Sequence, residues 1–197
     1  MRGILIVNPN ATSMSRTVCE LTVRSLAGLV DVRVEQTKYR GHARELAAAA
    51  HGELVIVLGG DGSINEVVNG VMSHGEDEGS EPPLIAVIPG GGGNVFAQAL
   101  GLPPDAAAAI ARVRDVIAAQ SYRTIGLGLA GDRYFTFSAG LGMDAEVVRE
   151  VDRLRAAGRR ESASLFLRTM VRHYFRGTDR RVPTLTVERD GQPPLTD

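Results

Sequence analysis

The chain has 197 residues, 44% of them hydrophobic, which suffices for the core of one full domain and part of another, or of one large domain. Lysine plus arginine (22) and aspartate plus glutamate (23) nearly cancel to a formal net charge of -1, excluding a general attraction to nucleic acid or to an anionic membrane. The single cysteine, Cys19, excludes an intramolecular disulfide and a thiolate metal cluster, and reads as a small core or helix residue.

The N-terminal "GILIV", Gly3 to Val7, is a short continuous apolar run, as expected of a parallel strand covered on both faces. After the break "NPNATS", Met14, Val18, Leu21, Ser25 and Leu29 recur at helical spacing. "DVRVEQT" predicts a second strand, Gly41 to Ala50 a helix and "LVIVLGG" a third strand; Ile64, Val67, Val68 and Val71 then form another helical stripe. "LIAVIPGGGGN" supplies a fourth strand, followed by a short helix in "VFAQALGL" and a longer one from Asp105 to Ala119. Alternating strands and helices predict an α/β fold, a doubly wound and mostly parallel sheet over residues 1–121. No apolar stretch reaches the roughly 20 residues of a membrane span, and the N-terminal run is too short for a signal peptide, so a soluble cytoplasmic protein is expected.

From residue 122 the pattern changes. "YRTIGLGLAGDRYFTFSAGLG" alternates around Gly131-Asp132 and predicts a hairpin that opens a smaller antiparallel β-rich domain, residues 122–197. Two helices follow, in "DAEVVREVDRLRAAG" and "SASLFLRTMVRHYFRG", and "TLTVERDGQ" reads as a strand entering a turn. One hairpin, two helices and one strand leave edges unpaired, so the expectation is a truncated domain whose fold continues beyond Asp197, with self-association as a possible outcome.

Three loops directly follow predicted strands, "NPNATS", "GGDGS" and "PGGGGN", and should share the carboxyl edge of the sheet, where ligands of such folds bind. Asn65 stands where a dinucleotide fingerprint counted from Gly60 needs its third glycine, and no Gly-Lys-Ser/Thr follows a glycine run, so neither a standard Rossmann turn nor a Walker A loop is present. Glycines ahead of a helix still expose N–H groups to an anion. Ser63 and Glu66 have capping-box spacing. A carboxylate beside polyphosphate is repelled unless a cation or a hydroxyl proton intervenes, so Asp61 points to magnesium-nucleotide organisation or to an acceptor hydroxyl, with a simple Asx-type turn as the alternative.

"VNPNAT", "VLGGDGSINEVVNGV", "IAVIPGGGGNVFAQALGLP" and "FSAGLGMDAEVV", in this order, resemble the diacylglycerol kinase catalytic family, which includes bacterial diacylglycerol kinases and the sphingosine and ceramide kinases. The resemblance implies an ATP- and magnesium-dependent lipid kinase that transfers the γ-phosphate to a hydroxyl of diacylglycerol or a similar lipid. By position it assigns a first nucleotide loop to Asn8, Pro9, Asn10, Ala11 and Thr12, and a further contact to Thr37. It assigns the ATP phosphates and magnesium to Gly59, Gly60, Asp61, Gly62, Ser63, Ile64, Asn65 and Glu66, and closure of the site to Gly91, Gly92, Gly93 and Asn94. Asp61 is the catalytic candidate and, through the nucleotide, the metal contact. The last loop departs from the family's Gly-Thr-x-Asn-Asp-Phe-Ala, Ser63 stands for a more frequent threonine, and the family's late Asp-Gly-Glu motif, proposed to supply the general base, is absent.

His42, His51, His74 and His173 have no spacing that suggests a shared metal. The basic amphipathic segment around Leu165, Phe166, Met170 and Tyr174 reads as a helix packed on its domain or as one that touches a membrane surface, where a cytoplasmic kinase would meet a lipid substrate peripherally. Two other readings stay open: a NAD-kinase-like phosphotransferase acting on a soluble nucleotide, and a nucleotide-binding chain without turnover.

Overall fold

The structure, a computed structural model, describes residues 1–11, 14–73, 83–158, 163–176, 186–189 and 192–196, and divides into two units, Met1–Ser138 and Ala139–Asp197. In the first unit, strands β1 (Arg2–Val7), β2 (Asp31–Gln36), β3 (Leu54–Gly59) and β4 (Ile85–Pro89) form one parallel sheet in the order β2-β1-β3-β4. In register, Leu5 stands opposite Val34 on one side and Ile56 on the other, and Ile56 opposite Ala86. All of β3 and all of β1 but Arg2 is buried, as their continuous apolar sequences require. β2 is largely exposed, and its charged residues suit an edge.

Side chains of β1 and β3 alternate between two cores. Ile4, Ile6, Val55 and Val57 face the core that contains Ala43 and Ala47 of helix α2 (His42–Ala48) and Ile64 and Val67 of α3 (Asp61–Val71). Leu5, Val7, Ile56 and Leu58 face the core that holds Leu26 of α1 (Arg16–Leu26) and Ile110 and Val113 of α5 (Ala106–Ala118). Cys19 is half-buried against this second core, and burial, then the charge of Glu20, pushes its thiol pKa up. Each fully buried Leu, Ile or Val contributes about 1.5–3 kcal/mol. α1 and α5 start at side-chain caps: Ser15 Oγ accepts from Val18 N at 3.2 Å, and Asp105 Oδ1 from Ala108 N at 2.9 Å. Helices α2 and α3 approach closely at Gly70, where a Cβ would lie 2.3 Å from the carbonyl oxygen of Arg44.

The expected hairpin forms, but only three residues on each side pair: β5 (Gly128–Ala130) with β6 (Arg133–Phe135), turning at Gly131 with φ +63°. Its ladder ends where the Phe135 ring lies over Gly128; there a Cβ would fall 2.0 Å from the ring. Residues 122–127 are irregular, and Tyr122 is exposed.

In the second unit, α6 (Met143–Ala156) packs against α7 (Ala163–Arg176), burying Val147, Val151 and Thr169, with Glu146 paired to His173. β7 (Thr186–Arg189) is not left single: it pairs antiparallel with β8 (Gln192–Thr196). The turn residues Asp190 and Gly191 lie outside the described residues. α7 leaves Leu167, Val171 and Phe175, spaced by four, exposed. Among the described residues no helix is long and apolar enough to cross a membrane.

Candidate functional site

The three loops gather at the carboxyl edge of the parallel sheet, and backbone bonds carry the sheet into them: Asn8 N donates to Leu58 O at 3.1 Å, Gly90 N to Gly59 O at 2.9 Å and Thr37 N to Val7 O at 2.9 Å. Thr37 thus stands beside the first loop. In that loop Asn8 Oδ1 accepts from Asn10 N at 3.0 Å, and Ala11 N donates to Asn8 O at 3.1 Å, a compact turn with Pro9 and Asn10 exposed. Asn8 Nδ2 reaches across to Ser63 Oγ at 3.1 Å and ties the first loop to α3. Thr12 lies outside the described residues.

The glycine loops after β3 and β4 pack backbone against backbone. A Cβ on Gly91 would lie 2.6 Å from Gly60 Cα, one on Gly90 3.2 Å from Gly59 Cα, and one on Gly59 2.8 Å from Ser63 Cβ. Close approach of loop to loop therefore accounts for Gly60, Gly90 and Gly91, and contact with Ser63 in the first turn of α3 for Gly59. Gly62 differs: it is exposed in the first turn of α3, and a Cβ there would meet nothing within 4 Å.

Asp61 spans the two loops. Its Oδ1 accepts from Phe96 N at 2.9 Å and its Oδ2 from Val95 N at 3.1 Å, so it caps α4 (Val95–Ala99) from 34 residues away. Asn94 cannot do this, because its amide closes the last loop: Oδ1 accepts from Gly91 N and Nδ2 donates to Gly91 O, both at 2.8 Å, with Asn94 at φ +50°. Gly93 O accepts from Gln98 Nε2 at 2.7 Å, and Gly92 and Gly93 are exposed. Each Asp61 oxygen keeps acceptor capacity beyond its one N–H. The Asp61 arrangement is not an Asx turn.

The capping box expected of Ser63 and Glu66 does not form. α3 begins at Asp61 with Gly60 as N-cap and no side-chain cap, which places Ser63 inside the first turn instead of ahead of it. Ser63 turns to Asn8, and Glu66 Oε1 accepts from Gly41 N at 2.9 Å, capping α2 where Gly41 is left-handed at φ +96°. Ile64 is fully buried in the core. Asn65 faces the hairpin: its Nδ2 donates to Tyr134 O at 2.9 Å, and its Oδ1 accepts from Arg133 Nη2 at 3.1 Å. Asn69, unremarked in the sequence reading, holds both backbone groups of the same residue; its Oδ1 accepts from Tyr134 N and its Nδ2 donates to Tyr134 O, each at 2.9 Å. An asparagine inside the apolar stripe "VVNGV" is the signal that could have found it, since a polar residue on a core-facing helix needs a partner.

The first turn of α3 is thus left with N–H groups that no side chain caps, the helix end that favours anions. Among the described residues no group of three His, Cys, Asp or Glu stands together, so a cation held by protein alone does not fit. A magnesium shared between one carboxylate and nucleotide phosphates does fit, with Asp61 as the carboxylate. Two surface clefts are of similar size. One of about 540 Å³ lies around Met1, Leu29 and Asp31, away from the loops; the other, about 530 Å³, borders the first loop at Pro9, Met14 and Gln36. Neither cleft is lined by a residue of the two glycine loops.

In an α/β unit of this kind ligands bind outside the carboxyl ends of the strands, the edge on which the glycine loops are packed. The sequence matches the model of the diacylglycerol kinase catalytic domain over residues 2–126, and the chain belongs to that family. A diacylglycerol kinase of Staphylococcus carnosus is 35% identical over 154 residues, 76% of this chain and 47% of that protein. Sphingosine kinase 1 of Rattus norvegicus is 36% identical over 105 residues, 50% of this chain and 27% of that protein. The crystal structure of a diacylglycerol kinase from Bacillus anthracis superposes with TM-score 0.59 at 29% identity, over 68% of this chain and 45% of that one. The chain therefore spans under half the length of each.

Proposed function

We propose that the protein is an ATP- and magnesium-dependent lipid kinase whose nucleotide site is the junction of the three loops. The observation that carries the reading is the uncapped first turn of α3, with open space over Gly62, framed by loops that Asn8–Ser63 and Asp61–Val95/Phe96 bonds hold in place. In this reading Asn8 to Thr12 and Thr37 contact the nucleotide, Gly60 to Ser63 receive the phosphates, and Gly91 to Asn94 close the site. Asp61 keeps α4 in place and offers its remaining lone pairs to the nucleotide's magnesium. Held there with ATP, magnesium would supply neutralisation of the phosphate charge. The acceptor hydroxyl oxygen bonds the γ-phosphorus as the bond to ADP breaks, and its proton passes to a base. Positioning supplies most of the acceleration in such transfers.

In the same reading residues 1–121 serve as the nucleotide domain and residues 122–197 belong to the lipid domain, with the β5–β6 hairpin of that stretch lying in the first unit, bound to α3. The exposed Leu167, Val171 and Phe175 on α7, flanked by Arg168 and Arg172, suit contact with a bilayer surface, which would make the protein cytoplasmic and peripheral. Among the described residues strand β4 pairs only with β3, and this apolar edge makes a homo-oligomer the expected assembly. Transfer of labelled phosphate from ATP is tested with diacylglycerol, sphingosine and NAD as acceptors, alongside calorimetric titration with ATP and magnesium. Transfer to a lipid alone supports the proposal; transfer to NAD alone, or absence of ATP binding, overturns it. Binding without transfer supports the reading of a nucleotide-binding chain without turnover.

A further inference from the structure

We propose that Arg133, carried by the β5–β6 hairpin, is a binding residue for the terminal phosphates of the nucleotide; this rests on the nucleotide reading above. Arg133 is exposed, and its Nη2 donates to the neutral Asn65 Oδ1 at 3.1 Å. Among the described residues no carboxylate pairs with it, whereas Arg16, Arg33, Arg114 and Arg153 each hold a glutamate or aspartate. An amide oxygen orients a guanidinium without neutralising it, and four of the five N–H donors are left for a ligand.

The hairpin does not carry this cation loosely. A two-stranded ribbon of three-residue strands is marginal by itself, but the backbone of Tyr134, the next residue, is pinned to α3 at both its N–H and its C=O by Asn69, and again at its C=O by Asn65. Asn69 is buried, at 7% exposure, so the clamp is shielded from competing water.

Helix geometry then sets where the guanidinium stands. Gly62, Asn65 and Asn69 are spaced by three and four on α3 and share one face. Asn65, which holds the arginine, thus lies one helical turn from Gly62 on the same face, and a Cβ on Gly62 would meet nothing within 4 Å. That space adjoins the uncapped N–H groups of the first turn. An anion seated there meets helix amides on one side and a fixed cation on the other. The planar fork of arginine suits phosphate oxygens.

The test compares ATP and AMP binding by the full 197-residue chain, read by competition against a fluorescent ATP analogue at low and moderate salt. Arg133→Gln is expected to weaken ATP binding about tenfold, the lower end for charge-assisted hydrogen bonds at an exposed site, and AMP binding by less than about twofold. Arg133→Lys should recover part of the loss, and Arg114→Gln, paired on α5, should change nothing. The melting temperature of Arg133→Gln should match that of the parent. Equal weakening of ATP and AMP, or unchanged ATP affinity in Arg133→Gln, overturns the proposal while leaving the nucleotide site standing. No ATP binding by the parent chain overturns both.

Discussion

The two glycine loops look alike in sequence and behave differently in the fold. The loop after β3 runs into an 11-residue helix whose first turn has no side-chain cap, while the loop after β4 runs into a 5-residue helix capped by Asp61 of the other loop. One carboxylate cannot occupy both ends. By serving α4, Asp61 leaves the end of the longer helix α3 to a ligand, and it keeps the second loop at a fixed distance from that end. The glycines divide in the same way: Gly60, Gly90 and Gly91 allow the loops to touch, and Gly62 keeps space open.

The strongest way to break this contrast is to force the loops apart. Gly91→Ala places a methyl 2.6 Å from Gly60 Cα and should destabilise the chain by about 1–3 kcal/mol, measured by denaturant midpoint. A midpoint equal to the parent's would show that the loops do not pack as described. Asp61→Ala uncaps α4 and should cost about 1–2 kcal/mol while also weakening binding of ATP with magnesium. Loss of affinity with unchanged stability would mean that the carboxylate serves the metal alone.

Gly62→Ala sharpens the comparison, because stability and binding should move in opposite directions. Alanine is favoured over glycine in a helix by up to about 1 kcal/mol, so stability should rise slightly; the new methyl stands where the phosphate is proposed, so ATP affinity should fall. A fall in both would instead indicate strain at that position. The smallest effect concerns Cys19 of α1, which lines the cleft beside the first loop. Burial raises its pKa, so less thiolate is present at neutral pH than for a free cysteine, and alkylation should be slow near pH 7.5 and accelerate only at higher pH. Alkylation at the rate of a free thiol at pH 7.5 would contradict that burial.

Much of the fold was legible because it follows from local pattern. The apolar runs "GILIV" and "LVIVLGG" require cover on both faces, and stripes such as Ile64, Val67, Val68 and Val71 commit one helix face to the core. Placing three loops on one edge followed from the alternation of strand and helix. The bonds that assemble the site were not legible. Asp61 meets amides 34 and 35 residues away, and Asn69 meets Tyr134 across 65. The Ser63–Glu66 spacing even suggested the wrong partners, because a local pattern does not reveal that the helix starts three residues earlier, with Gly60 and not Ser63 as its N-cap.

The amino-acid sequence by itself determined the parallel α/β architecture, the edge on which the loops gather and the family, since each is written in periodicity or in contiguous motifs. Tertiary structure decided what the loop side chains do. A polar side chain takes whichever unpaired group the fold brings within about 3 Å. For Asp61, Ser63, Asn65 and Glu66 those groups lie on other elements, and only folding brings them near.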